Sequence, residues 1–229
     1  MEITWLGDTC VRLRGREGVV AADAYRSVAG PTGRGLTADI CTYSHADPSD
    51  PPKPGARGSG QAASRGLGII RPTSLEPAFA IDAPGEYEVH DVLITGVRTF
   101  RDQARGSERG QNTSFVYELD GIHTVHLGDI GHLLDDDMRG EIGSVQVACV
   151  PIGSVLSAAQ AAELVTALDA NLVVPMPTGQ DQAAAQQALE RFLKEMSVTD
   201  PQPVPRLSVS ISTVPQETTV VVLESRGKV

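Results

Sequence analysis

Residues 114–129 read SFVYELDGIHTVHLGD, and the reading of this stretch decides the fold. Two runs of β-forming residues flank Asp120-Gly121, a pair suited to a type I′ hairpin turn because both residues tolerate positive φ. Outward from this hairpin, further short apolar or alternating runs are punctuated by Gly, Asp and Pro, as a sheet requires. Upstream lie ITWL, CVRL, GVVAA, ADICTYS, AFAIDA and EYEVHDVLITGVRTF. Downstream, VQVACVPI and NLVVPM read as buried strands. Between these two, SAAQAAELVTALDA reads as a helix with Ser157 and Gln160 spaced as a capping box. A second helix is predicted from about Asp181 to Met196, with Ala185, Leu189, Phe192 and Leu193 on one face. The Pro-rich DPQPVP ends it, and LSVSIS and TTVVVLES are predicted to follow as strands. Strand-rich halves, each with helices toward its end, predict two sheets covered by helices on the outside.

Composition narrows the class. The chain has 229 residues, 41% hydrophobic and 21% charged, which excludes global disorder. Aromatic residues make up 4%, so the core must rest on Val, Ile, Leu and Ala. A formal charge of -10 argues against a general nucleic-acid-binding surface, although it leaves room for a local basic patch. No run approaches the roughly 18 apolar residues of a membrane span. The chain opens on strand-like sequence without the basic leader and apolar run of a signal peptide, so a cytoplasmic location is expected. Cys10, Cys41 and Cys149 lack metal-ligand spacing and are expected to be unpaired, buried and reduced. One domain over residues 1–229 is expected. It carries a Pro/Gly-rich flexible insertion at about 51–74, either a tolerated surface loop or a lid over a site.

Three segments place polar residues after predicted strands: residues 43–50 (YSHADPSD), 99–102 (TFRD) and 126–129 (HLGD). With these, WLGDTC, DAPGEYEV and VVPMP, the sequence resembles the metallo-β-lactamase superfamily, specifically its lactonase-like metal-dependent hydrolase branch. The resemblance implies a four-layer αββα sandwich, an α/β (α+β) fold, with a cleft along its sheet edge. It also implies a strand-end H-x-H-x-D-H motif whose side chains hold two zinc ions. At the matching positions stand His45, Asp47, Ser49 and Asp50. Arg101 and Pro177 match two further histidine ligands, Asp129 matches the bridging aspartate, and Asp8 replaces a histidine facing the same cleft.

Two readings follow from that pattern. In the first, the hydrolase fold is kept and the metal chemistry lost. Arg101 then supplies the missing positive charge to a carboxylate, and the chain is a binding or regulatory protein with a small anionic ligand as partner. In the second, His45, Asp47, Asp50 and Asp129 hold one hard cation such as Mg²⁺, Mn²⁺ or Ca²⁺ in preference to Zn²⁺, and a phosphoester or lactone is hydrolysed. Under either reading Asp8, Ser49, Arg101 and Pro177 line the cleft. A purely structural subunit with an empty cleft is the third alternative. His126 is read as a core or supporting histidine, His132 as packing, and His90 and His123 as exposed. The basic run Arg98, Arg101, Arg105 and Arg109 is either a solvated loop or an anion subsite.

Overall fold

The computed structural model describes residues 1–46, 71–179 and 181–226. In the first sheet β1 (Glu2–Gly7), β2 (Cys10–Arg14), β3 (Val19–Ala22), β4 (Ile40–Thr42) and β5 (Phe79–Ile81) lie side by side in chain order. The second sheet likewise runs in chain order through β6 (Gly85–Val89), β7 (Val92–Phe100), β8 (Gln111–Leu119), β9 (Ile122–His126), β10 (Val147–Ile152) and β11 (Leu172–Pro177). Two short strands then close one edge of each sheet: β12 (Leu207–Ser208) pairs with β1, and β13 (Thr219–Val220) pairs with β11.

The period-two alternation of the strands builds three core layers. Val11, Leu13, Val20, Ile40, Phe115, Tyr117, Cys149 and Val174 meet between the sheets, where Thr42 Oγ1 lies 2.6 Å from Tyr117 Oη. Fully burying such an aliphatic or aromatic side chain contributes about 1.5–3 kcal/mol. The opposite faces of β10 and β11 (Ala148, Val150, Val173) pack under helices α3 (Ala158–Leu168) and α4 (Gln182–Glu195), while α2 (Asp136–Ile142) lies against β7. Over the first sheet the outer layer is thinner. It comprises α1 (Arg26–Ala29) and single 3₁₀ turns at Gly33–Gly35 and Thr73–Leu75, packed on Ala21, Tyr25, Cys41 and Tyr43. The architecture is therefore the expected four-layer mixed sandwich with unequal outer layers.

Local signals account for most elements. Asp120 and Gly121 take φ of 53° and 71°, as the I′ turn demands. Ser157 and Gln160 make the reciprocal capping box of α3, and Asp181 caps α4. Asp135 caps α2, with Asp136 and Asp137 in its first turn. The three cysteines are free and buried. The two predicted C-terminal strands are shorter than expected, with two paired residues each, and Ile211–Thr213 is a 3₁₀ turn. Most of the insertion read at 51–74 lies outside the described residues; of its last four, Thr73 and Ser74 open a 3₁₀ turn. Among the described residues no helix is long and apolar enough to cross a membrane.

Candidate functional site

Strand directions decide where the site forms. β1, β3 and β4 run parallel in the first sheet, and β7, β9, β10 and β11 in the second. Their carboxyl ends deliver Asp8, Asp23, His45, Arg101, Asp129, Ser154 and Pro177 to one end of the sandwich. A cavity of about 1030 Å³ opens there, and Asp8, His45, Arg101, Asp129 and Pro177 all line it. Asp47, Ser49 and Asp50 lie outside the described residues.

Arg101 engages Asp129. Its Nε (2.9 Å) and Nη2 (2.7 Å) both donate to Oδ2 of that carboxylate, and its Nη1 donates to the Arg109 carbonyl at 3.3 Å. Arg109 Nη2 stands 3.7 Å from the same Oδ2 and reaches Ser154 Oγ at 3.3 Å. The loop carrying both arginines is organised by Asp102, whose carboxylate accepts the amides of Ala104, Gly106, Glu108 and Arg109. Those four amides outweigh burial and hold Asp102 below the usual carboxylate range. The basic run thus divides: Arg101 and Arg109 line the cavity, whereas Arg98 and Arg105 are exposed.

Asp129 is held from behind. Its amide donates to Asn112 Oδ1 at 3.0 Å, and Asn112 Nδ2 donates to Thr99 Oγ1 and the Leu127 carbonyl. Gly128 has φ of +65°, and a Cβ there would come within 2.5 Å of Asn112 Oδ1 and Ser44. His132 Nε2 accepts the Phe100 amide at 3.0 Å, so this histidine pins the end of β7.

Asp23, which sequence reading missed, anchors the other wall. It is fully buried and accepts the Ser44 amide (2.7 Å) and the Ser44 hydroxyl (2.6 Å). Ser44 Oγ also lies 2.7 Å from His45 Nδ1. Since that hydroxyl proton is given to Asp23, Nδ1 must carry a proton of its own, which leaves Nε2 of His45 as the lone-pair nitrogen. His126 is fully buried, with Nε2 2.7 Å from the Thr9 carbonyl, as expected of a supporting histidine. The available signal for Asp23 was a carboxylate placed directly after the apolar run Val19–Ala22.

Electrostatics follow from burial. Burial pushes the Asp8 carboxyl above its ordinary value, and the nearby Asp129 and Asp23 push the same way. Burial also pushes Asp23 up, but His126, His45 and the Ser44 hydrogen bonds together hold it below 3.8. For His45 burial dominates and keeps the ring below its ordinary 6.5, so it is neutral at pH 7. A folded state that resists protonating His45 loses stability as pH falls below about 6.5, because the unfolded chain then binds more protons. The Asp23 contribution, by contrast, persists until pH falls below about 3.8. Urea midpoints measured between pH 8 and 5 should therefore decline on the acid side in the wild type, and His45→Gln should flatten that decline. Equal slopes in the two proteins would contradict the assignment.

The described residues do not fit a two-zinc centre. The side chains of Arg101 and Pro177 offer no lone pair to a metal, and one carboxylate oxygen of Asp129 is taken by a guanidinium. Among the described residues no group of three or more His, Cys, Asp or Glu side chains is placed to hold a metal.

A two-sheet sandwich with an outer helical layer on each side and a cavity at its strand ends defines a metallo-β-lactamase fold. Residues 2–177 match the beta-lactamase superfamily domain, and the chain belongs to that superfamily. A crystal structure from Thermotoga maritima, assigned as a zinc-dependent hydrolase of the metallo-β-lactamase superfamily, is 28% identical. It superposes with a TM-score of 0.71 over 98% of this chain and 99% of that one. The UPF0173 metal-dependent hydrolase of Methanoregula boonei is 26% identical over 191 residues, 77% of this chain and 81% of its own. A metallo hydrolase from Ignicoccus hospitalis shares the fold alone, at 17% identity and a TM-score of 0.54 over 91% of this chain and 99% of that one.

Proposed function

We propose that this chain is a binding or regulatory protein of a metal-dependent hydrolase lineage. In this reading its cavity takes a small molecule with an anionic head and an apolar body. The carrying observation is the Arg101 guanidinium on Asp129, at two positions that the family resemblance gives to metal ligands. Arg109 and Arg34 are further cations on the cavity wall, while Trp5, Leu6, Val28, Leu189, Leu193 and Val222 give it an apolar side. A volume of about 1030 Å³ stands at the upper end of the range for small-molecule sites, roughly 300–1,000 Å³.

Trp5 is the chain's one tryptophan and lines the cavity, so its fluorescence reports on that space. Titration with decanoate, a carboxylate with an apolar chain, should change Trp5 emission saturably in protein stripped of divalent ions. Adding Mg²⁺, Mn²⁺, Ca²⁺ or Zn²⁺ to that protein should leave its melting temperature unchanged. Arg101→Ala should cost about 2–3 kcal/mol, below the 3–5 typical of breaking a fully buried pair, because the Arg101 side chain is 20% exposed. For a chain of this size that is a fall of about 4–12 °C. A stoichiometric metal in protein purified without chelators, with hydrolysis of a phosphoester or lactone, would overturn this reading. It would favour the alternative, a hydrolase with one hard cation at His45, Asp47, Asp50 and Asp129.

A further inference from the structure

A second pocket, of about 300 Å³, lies on the outer face of the first sheet. Glu2, Thr4 and Leu6 face outward on β1, Arg12 stands opposite Thr4 on β2, and the 33–37 turn with Arg226 completes the wall. Three arginines, Arg12, Arg34 and Arg226, thus line a small concavity in a protein whose formal charge is -10. The lining carboxylate, Glu2, is paired with Arg206 Nη1 at 3.1 Å and, with Asp39, also favours the Arg12 charge, which leaves Arg34 and Arg226 as the pocket's further cations. Arg12 is held in place by its Nε, which donates to the Thr37 carbonyl at 3.0 Å. Burial first and then the neighbouring Arg14 work against the Arg12 charge, outweighing the support of Glu2 and Asp39, so a bound anion would add to that support.

We infer that this pocket, which adjoins the strand-end cavity and shares Leu6 and Arg34 with it, is a second ligand site and that it takes a phosphate-bearing small molecule. Three arginine side chains lining one small space suit a phosphoryl group, whose oxygens accept paired N–H donors and whose double charge answers several cations. Thr4, whose hydroxyl donates to the Arg12 carbonyl at 3.5 Å, and Thr37 stand on the same wall. A polymer such as nucleic acid fits poorly, because the concavity is small and the net charge of the chain would repel an extended polyanion. Arg12, Thr37 and Arg226 line this pocket and not the larger cavity, so they carry the inference independently of it.

Isothermal titration of the full chain with inorganic phosphate and pyrophosphate at low ionic strength tests it. Pyrophosphate should bind, more tightly than phosphate, with an affinity that falls as salt is raised. Arg12→Gln and Arg226→Gln should each weaken binding by about tenfold or more, the loss expected for one charge-assisted contact. Arg226 is exposed, so its replacement probes the site even if Arg12→Gln disturbs folding. Arg109→Gln, in the larger cavity, should leave pyrophosphate binding unchanged. No heat at millimolar pyrophosphate, wild-type affinity in both pocket variants, or loss of binding in Arg109→Gln would each overturn the assignment.

Discussion

Asp23→Ala should cost about 3–5 kcal/mol of folding stability, read from urea or guanidinium denaturation at pH 7. The carboxylate is fully buried and accepts both the amide and the hydroxyl of Ser44. Removing it leaves two donors without an acceptor in a dry interior, each costing about 1–3 kcal/mol, and opens a small void besides. Local order should suffer beyond that sum. Ser44 joins Asp23 to His45 Nδ1, so the imidazole loses the partner that fixes its tautomer. Asp23→Asn should be milder, about 1–2 kcal/mol, because one oxygen survives to accept the Ser44 amide. An Asp23→Ala protein that loses less than about 1 kcal/mol would show that this network does not hold the wall of the cavity.

Gly131→Ala should be nearly as damaging, at about 3 kcal/mol or more. A Cβ at this position would lie 2.2 Å from the Arg101 carbonyl oxygen, 2.4 Å from its carbon and 2.7 Å from the Asp102 nitrogen. All three are backbone atoms, which cannot turn aside as a flexible side chain would. The Gly131 amide also donates to the Phe100 carbonyl at 2.9 Å, so the two segments cannot part without losing that bond. The displaced segment carries Arg101, whose hold on Asp129 should loosen. Arg101→Ala should then cost less in the Gly131→Ala background than alone, a coupling that a double-mutant cycle measures directly. Gly140, exposed on α2 with nothing near its would-be Cβ, is the control: Gly140→Ala should be neutral or stabilising by up to about 1 kcal/mol.

Much of the architecture was written in local chemistry. Asp120-Gly121 signalled its turn, Ser157 and Gln160 their capping box, and Leu189, Phe192 and Leu193 the buried face of α4. Elements whose form depends on distant partners were not legible. LSVSIS alternates like a strand, yet two of its residues pair with β1, and Ile211 is left 71% exposed in a 3₁₀ turn. Pro203, Pro205 and Pro215 offer no amide for a continuous ladder, and that shortens what alternation alone suggests. The strand-end segments at His45, Arg101 and Asp129 were visible as polar residues following apolar runs. Asp23 was not, because a single carboxylate after a strand looks like any loop residue until Ser44, His45 and His126 are folded around it. Arg12, Arg34 and Arg226 are separated by up to 214 positions, so no spacing rule could join them.

The short strands β12 and β13 fasten different sheets, one at the edge of β1 and the other at the edge of β11. During synthesis this sets a late step. β1 emerges first from the ribosome and must wait about two hundred residues for Leu207–Ser208. Until then the backbone groups along one side of β1, and of the apolar β11, stay open to pairing with other chains. Interrupted translation products, long enough to build both sheets but lacking residues 207–220, should therefore be the species that chaperones must shield.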